Sequence, residues 1–232
     1  MYLNCHTYYS LRFGTFSEIA LLDLARDCKV STLALTDINN TSACLNFVRK
    51  AREYGILPIV GIDFRNGAEQ QFIGLARNNQ GFMELNAFLS HHSHHGISIP
   101  PEPPILPDSY IIYPFEKLLR SGKQGFRENE FIGISIENLK RLPFSAYKEC
   151  IDRLVIQQPV TFRNQRDFNA HRLLRAIDNN TLLSKLPKTE EGSPLEKMLP
   201  EKELLEHYAE FPHIIENTKA LLADCYIDFG FG

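Results

Sequence analysis

Short apolar runs alternate with amphipathic or polar stretches along most of the chain. Residues 2–5, 32–36, 57–64, 71–76, 110–113, 131–134 and 154–160 read as strands, the second as a buried parallel one. Between them, Ser17-Glu18 opens an amphipathic helix in which Ile19, Leu22, Leu24 and Ala25 approximate one face, running up to Cys28. Asn40-Thr41-Ser42 is predicted to cap a second helix with Leu45, Val48 and Ala51 on one side, ending near Gly55. A third covers Phe82 to Leu89, and short helical pieces fit 116–119 and 136–141. From His91 to Pro107 the pattern stops: a His-rich run and Pro100-Pro101-Glu102-Pro103-Pro104 read as a loop in extended or polyproline conformation. Beyond Asp167 the chain turns helical, with Phe168, Leu173, Leu174 and Ile177 in one segment and Leu204, Leu205, Tyr208, Ile214, Ile215 and Leu222 in others. Asp178-Asn179-Asn180-Thr181 between them reads as a helix stop and turn.

Seven strands separated by helices or loops predict an α/β fold, a distorted (β/α)7-type barrel with a C-terminal helical extension, over an open doubly wound sheet. The expected organisation is one domain over residues 1–232, with the barrel reaching about 178 and the extension covering about 179–232. The order of the strands is not legible, and no internal repeat is evident.

Composition narrows the function. The chain has 232 residues, 44% of them hydrophobic, enough to bury a large core. A formal charge of -3 argues against a chain that grips nucleic acid by itself. Cys5, Cys28, Cys44, Cys150 and Cys225 include no Cys-x-x-Cys pair and read as reduced, cytosolic thiols. No apolar run approaches the roughly 20 residues that cross a bilayer, and Met1 leads into a strand without a basic leader, so a cytoplasmic location without membrane contact is expected. Arg163, Arg166, Arg172 and Arg175 form the most concentrated basic stretch. We read it as a solvated helix face, the other reading being a face for DNA or another protein module.

Candidate chemistry starts at His6, at the exit of the first strand and followed by Thr7-Tyr8-Tyr9-Ser10 and a Gly-containing turn. Strand ends hold ligands on a rigid scaffold, where barrel phosphoesterases begin their metal sites. Leu33-Ala34-Leu35-Thr36-Asp37 and Ile59-Val60-Gly61-Ile62-Asp63 fit the same scheme. Together the three segments resemble the His-x-His, Thr-Asp-His and Gly-x-Glu motifs of the PHP (polymerase and histidinol phosphatase) domain. Residues 167–177, Asp-Phe-Asn-Ala-His-Arg-Leu-Leu-Arg-Ala-Ile, resemble the helix after the last barrel strand in the PHP domain of the bacterial DNA polymerase III alpha subunit. The run 210–218, with Pro212 ahead of Asn217-Thr218, resembles that branch too. The resemblance covers nearly the whole chain and implies the N-terminal piece of a far longer DNA-directed DNA polymerase, a nucleotidyltransferase of DNA replication. A chain ending at Gly230-Phe231-Gly232 is then expected to be a truncation, without the palm carboxylates that bind nucleotide and magnesium.

An intact site of this family holds two or three metal ions through His nitrogen and carboxylate oxygen. Against that pattern Asn4 replaces the leading His, Ile38 the His after Asp37, and Asp63 a Glu, while Thr161-Phe162-Arg163-Asn164 stands where the late Asp-x-His is expected. His6, Asp37 and Asp63 are therefore expected to be vestigial positions in a metal-free polar network with Asn4, with no catalytic residue and no cofactor. The function this implies is a structural scaffold for the polymerase module of the same chain and for the proofreading exonuclease subunit, with DNA met only indirectly through the holoenzyme. The alternative class is an active metal-dependent phosphoesterase, a 3′–5′ exonuclease or histidinol-phosphatase-like enzyme, using His6, Asp37, Asp63 and further ligands. The histidines at 91, 92, 94 and 95 have ligand chemistry, but a flexible loop lacks fixed geometry, and no metal is expected there.

Overall fold

The structure, a computed structural model, describes residues 1–231. Its strands are β1 (Tyr2–Cys5), β2 (Thr32–Leu35), β3 (Leu57–Asn66), β4 (Glu69–Ala76), β5 (Ser109–Pro114), β6 (Glu130–Ile134), β7 (Leu154–Ile156) and β8 (Pro159–Val160). The helices are α1 (Glu18–Asp27), α2 (Cys44–Ala51), α3 (Asn79–His95), α4 (Phe115–Ser121), α5 (Gln165–Asp178), α6 (Glu201–His207) and α7 (Pro212–Ala223).

All the strands join one sheet in the order β7-β6-β5-β4-β3-β2-β1-β8. Its two edge strands are consecutive in sequence, separated only by Gln157 and Gln158. Three Cα steps span at most about 11 Å, so the edges lie near each other and the sheet curls into a distorted barrel. The β3-β4-β5 section is antiparallel and every other pairing is parallel. The β3-β4 reversal uses Gly67 at φ 59°, a left-handed conformation that glycine adopts without penalty.

The α/β barrel thus matches the reading of the sequence, as do several local signals. Ser17 caps α1 by accepting the Ala20 N–H, and of the expected face Leu22 and Ala25 are buried while Ile19 and Leu24 are only partly so, Leu21 taking the buried place beside them. Residues 58–64 of β3 are buried without interruption, as expected of a strand covered on both faces. Phe64 and Phe72 pack with ring centres 4.8 Å apart, under Phe88 of α3. The Asn217-Thr218 pair on α7 supports the β7 edge: Asn217 Nδ2 donates to the carbonyls of Ile151 and Leu154, and Thr218 Oγ1 accepts the Ile156 N–H at 2.8 Å.

Four local expectations differ. Residues 154–160 are two strands instead of one, because the chain leaves β6 after Ile156 and reaches β1 at Pro159, giving eight strands among the described residues where seven were expected. His91–His95 is helical: α3 continues to His95 and stops at Gly96, φ 63°, because the first helix-breaking proline comes only at Pro100. Ala43 is the N-cap of α2 and makes no side-chain cap, while Asn40 Oδ1 accepts the Ser42 N–H of its own turn. On α5 the buried face is Asp167, Phe168, His171, Arg175 and Ala176, leaving Leu173 and Ile177 exposed.

Candidate functional site

His6, Asp37 and Thr161 follow strands and Asp63 lies within β3, and the fold brings all of them together on one rim of the barrel. His6 directly follows β1 and Thr161 directly follows β8, with the His6 N–H bonded to the Val160 carbonyl at 2.9 Å. Ile38 extends β2 beside Asp63 through an isolated parallel bridge, which carries Asp37 alongside β3. Asn4, His6, Asp37, Asp63 and Thr161 are all essentially inaccessible to solvent.

Two chains of hydrogen bonds fill this mouth. In the first, the single hydroxyl proton of Thr161 goes to Glu196 Oε2 at 2.5 Å, so Thr161 Oγ1 accepts from His6 Nδ1 at 2.9 Å. The other imidazole nitrogen, Nε2, lies 2.9 Å from Asp63 Oδ2. That oxygen also takes Arg65 Nε at 3.0 Å and Nη2 at 2.7 Å. Burial opposes the charge on Asp63, yet the Arg65 guanidinium and His6 hold its carboxyl down at about 2. In the second chain, Asp37 accepts the Thr7 N–H at 2.6 Å, the Thr7 hydroxyl at 2.7 Å and the Ser10 hydroxyl at 2.7 Å. Burial outweighs these donors and pushes the Asp37 carboxyl up. Asn4 accepts from the Thr36 hydroxyl at 3.1 Å, and Asn4 Nδ2 and Asp63 Oδ1 are buried without a partner.

An aromatic hub joins this mouth to α5. The Phe13 ring lies beneath Arg65, 4.7 Å from its guanidinium carbon, and meets His171 edge-on at 4.5 Å. His171 Nδ1–H donates to the Phe13 carbonyl and Nε2 accepts the Gly192 N–H, so both nitrogens are committed. Burial pushes this imidazole below its ordinary range. Arg175 and Arg172 grip the same loop through Glu190 and Glu191.

Two expectations meet this geometry. His6, Asp37 and Asp63 are brought together, while Asn4 bonds to Thr36 instead of to them. Arg163 turns away, pairing with Asp167 at 2.7 Å, and Arg172 and Arg175 are also paired with carboxylates, so most of the α5 basic stretch is internally neutralised. Arg65 and Glu196 are absent from the sequence reading, and Thr7 and Ser10 enter it only as part of the run after His6. Arg65 carried a signal, because residues two apart on a strand share a face and Asp63 is its i−2 neighbour. Glu196 carried none, lying in an irregular loop 35 residues from Thr161.

Compared with known proteins, residues 3–131 match the PHP domain. The chain belongs to the PHP domain family. The chain is similar over its whole length to the DNA polymerase III subunit alpha of Escherichia coli strain K12, at 24% identity and covering 23% of that protein. The DNA polymerase III subunit alpha of Ureaplasma parvum is 35% identical over 83 residues, 36% of this chain and 8% of that protein. That of Halalkalibacterium halodurans is 20% identical, covering all of this chain and 23% of that protein. The chain therefore spans no more than about a quarter of these relatives. Among the described residues, no helix of the chain is long and apolar enough to cross a membrane.

Proposed function

We propose that this PHP domain is the structural PHP module of a cytoplasmic replicative DNA polymerase III alpha subunit, its mouth held by a salt-bridged network in place of a metal centre. The observation that carries this is Arg65. Its guanidinium, only 10% exposed, sits on Asp63 Oδ2, the oxygen that also faces His6, and a metal ion there would meet a fixed like charge. The remaining donor set does not suit a metal either. Both nitrogens of His6 and both oxygens of Asp37 are engaged by protein groups, and Asn4 and Ile38 offer no strong ligand. No cofactor and no catalytic residue are assigned to the mouth. His6, Asp37 and Asp63 act by holding strand ends in register.

On this reading residues 1–232 work as one unit, with the barrel to about 178 braced by the extension from about 179. Its partners are the polymerase module of the same chain and a proofreading exonuclease subunit, and DNA is met through the holoenzyme. Similarity to polymerase III alpha subunits over the whole chain supports that setting. The test is an assay of the purified chain with manganese, zinc or magnesium on a phosphomonoester and on single-stranded DNA, alongside elemental analysis. No turnover is expected, and any metal that the chain retains should be unchanged in Asp37→Ala and Asp63→Ala. Manganese-dependent turnover that vanishes in Asp37→Ala and Asp63→Ala would establish the phosphoesterase alternative instead.

A further inference from the structure

We propose that His91 and His95, on the last turns of α3, form a two-imidazole chelate for a divalent transition-metal ion of the zinc, nickel or copper class. The pair is remote in kind from the barrel mouth: it is solvent-exposed and lies on one helix. Residues four apart on a helix stack on the same face, the spacing by which two histidines present nitrogens to one ion. Here the ring centres of His91 and His95 are 4.6 Å apart at an interplanar angle of 41°. An ion about 2.0 Å from each coordinating nitrogen sits about 3 Å from each ring centre, so tetrahedral ligation asks for centres about 5 Å apart. The rings already stand near that separation.

The hydrogen bonding supplies a second, independent observation. His95 Nδ1 lies 2.8 Å from the His91 carbonyl, which can only accept, so Nδ1 carries the proton and the Nε2 lone pair is left for a ligand. A backbone carbonyl holding the far ring nitrogen is the support that metal-ligating histidines use to fix tautomer and orientation. Gly96 closes the helix immediately afterwards, its N–H on the carbonyls of His92 and Ser93, and this fixes the turn that carries the pair. His92 is committed elsewhere, packed on Phe88 with ring centres 4.4 Å apart and with Nδ1 donating to the Ser98 carbonyl at 3.1 Å. Among the described residues no group of three or more His, Cys, Asp or Glu side chains is arranged to hold a metal ion, so the chelate has two protein ligands and water completes it.

The experiment is calorimetric titration of the full chain with zinc chloride and, separately, nickel chloride, paired with thermal melts. One ion per chain is expected, together with a higher melting temperature in the metal, because the chelate exists only in the folded helix. His91→Ala and His95→Ala, exposed and favourable to helix, should each fold normally and each abolish both effects. His92→Ala should retain them. Absence of binding by the parent chain, binding that survives either the His91 or the His95 substitution, or loss in His92→Ala would each overturn the proposal. An ion held at the mouth instead would survive both histidine substitutions and be lost in Asp63→Ala, so titrating all three variants separates the α3 pair from His6, Asp37 and Asp63.

Discussion

Arg65 and Asp63 stand two residues apart on β3 and share one face of the strand, with Arg65 Nη2 2.7 Å from Asp63 Oδ2. The alternation of a strand makes them neighbours, and Phe64 between them points the other way into the Phe72 and Phe88 cluster. One strand thereby supplies a wall of the hydrophobic core and the charge balance of the mouth.

Removing the guanidinium leaves Asp63 buried and facing only His6. Breaking a buried ion pair from one side costs about 3–5 kcal/mol. Arg65→Ala should lower the denaturant midpoint by a corresponding amount without changing the slope of the unfolding transition. A midpoint within experimental error of the parent would show that Arg65 is not what balances Asp63.

Acid should act through the same carboxylate. Folded Asp63 keeps its charge down to about pH 2, whereas in the unfolded chain it takes up a proton near pH 4. Its contribution is therefore complete above about pH 5 and is lost as the pH falls toward 2. Urea melts between pH 5 and 2 should show this loss, and Asp63→Asn should make the curve shallower in that window. An unchanged slope in the variant would assign the acid sensitivity to other groups.

His171 should give a separate response at milder pH. Its folded form binds a proton less readily than the free imidazole because of burial, so protonation favours the unfolded chain. The sign is that stability is complete above about pH 6.5 and falls as the pH drops below it. Melting temperatures measured from pH 7.5 to 5.5 should decline in the parent and decline less in His171→Gln, whose starting stability is lower because it loses the bond from Gly192.

The sequence carried the barrel because its parallel strands are buried on both faces and so appear as unbroken apolar runs, as in residues 58–64. It carried His6 and Asp37 because strand exits are local features, and Asp63 because the apolar run that carries it is unbroken up to that position. The break at Gln157-Gln158 stayed hidden, since two polar residues within an apolar run do not reveal that the chain crosses from one sheet edge to the other. The helical state of His91–His95 was equally hidden: an exposed turn has no apolar periodicity, and only the αL stop at Gly96 marked its end. Glu196 reaches Thr161 purely through tertiary packing.

Gly14 sets the shape of the loop that delivers Thr7 and Ser10 to Asp37. A Cβ on Gly14 would lie 1.7 Å from the Thr7 carbonyl oxygen and 2.4 Å from its carbon, both backbone atoms that cannot rotate away. The loop is tied at both ends, by the Gly14 N–H on the Ser10 carbonyl and the Tyr8 N–H on the Phe16 carbonyl, so relief requires Thr7 itself to move. Thr7 provides two of the three donors from this loop to Asp37, and displacing it strips hydrogen bonds from a buried carboxylate. Overpacking alone costs about 1–3 kcal/mol, and the lost donors add to it. Gly67→Ala is the comparison, because its φ of 59° strains any side chain by about 1–2 kcal/mol but nothing lies within 4 Å of the new Cβ. Gly14→Ala should therefore destabilise the chain more than Gly67→Ala in matched denaturant melts. Equal or smaller destabilisation would mean that the Thr7 loop yields freely and does not hold Asp37 in place.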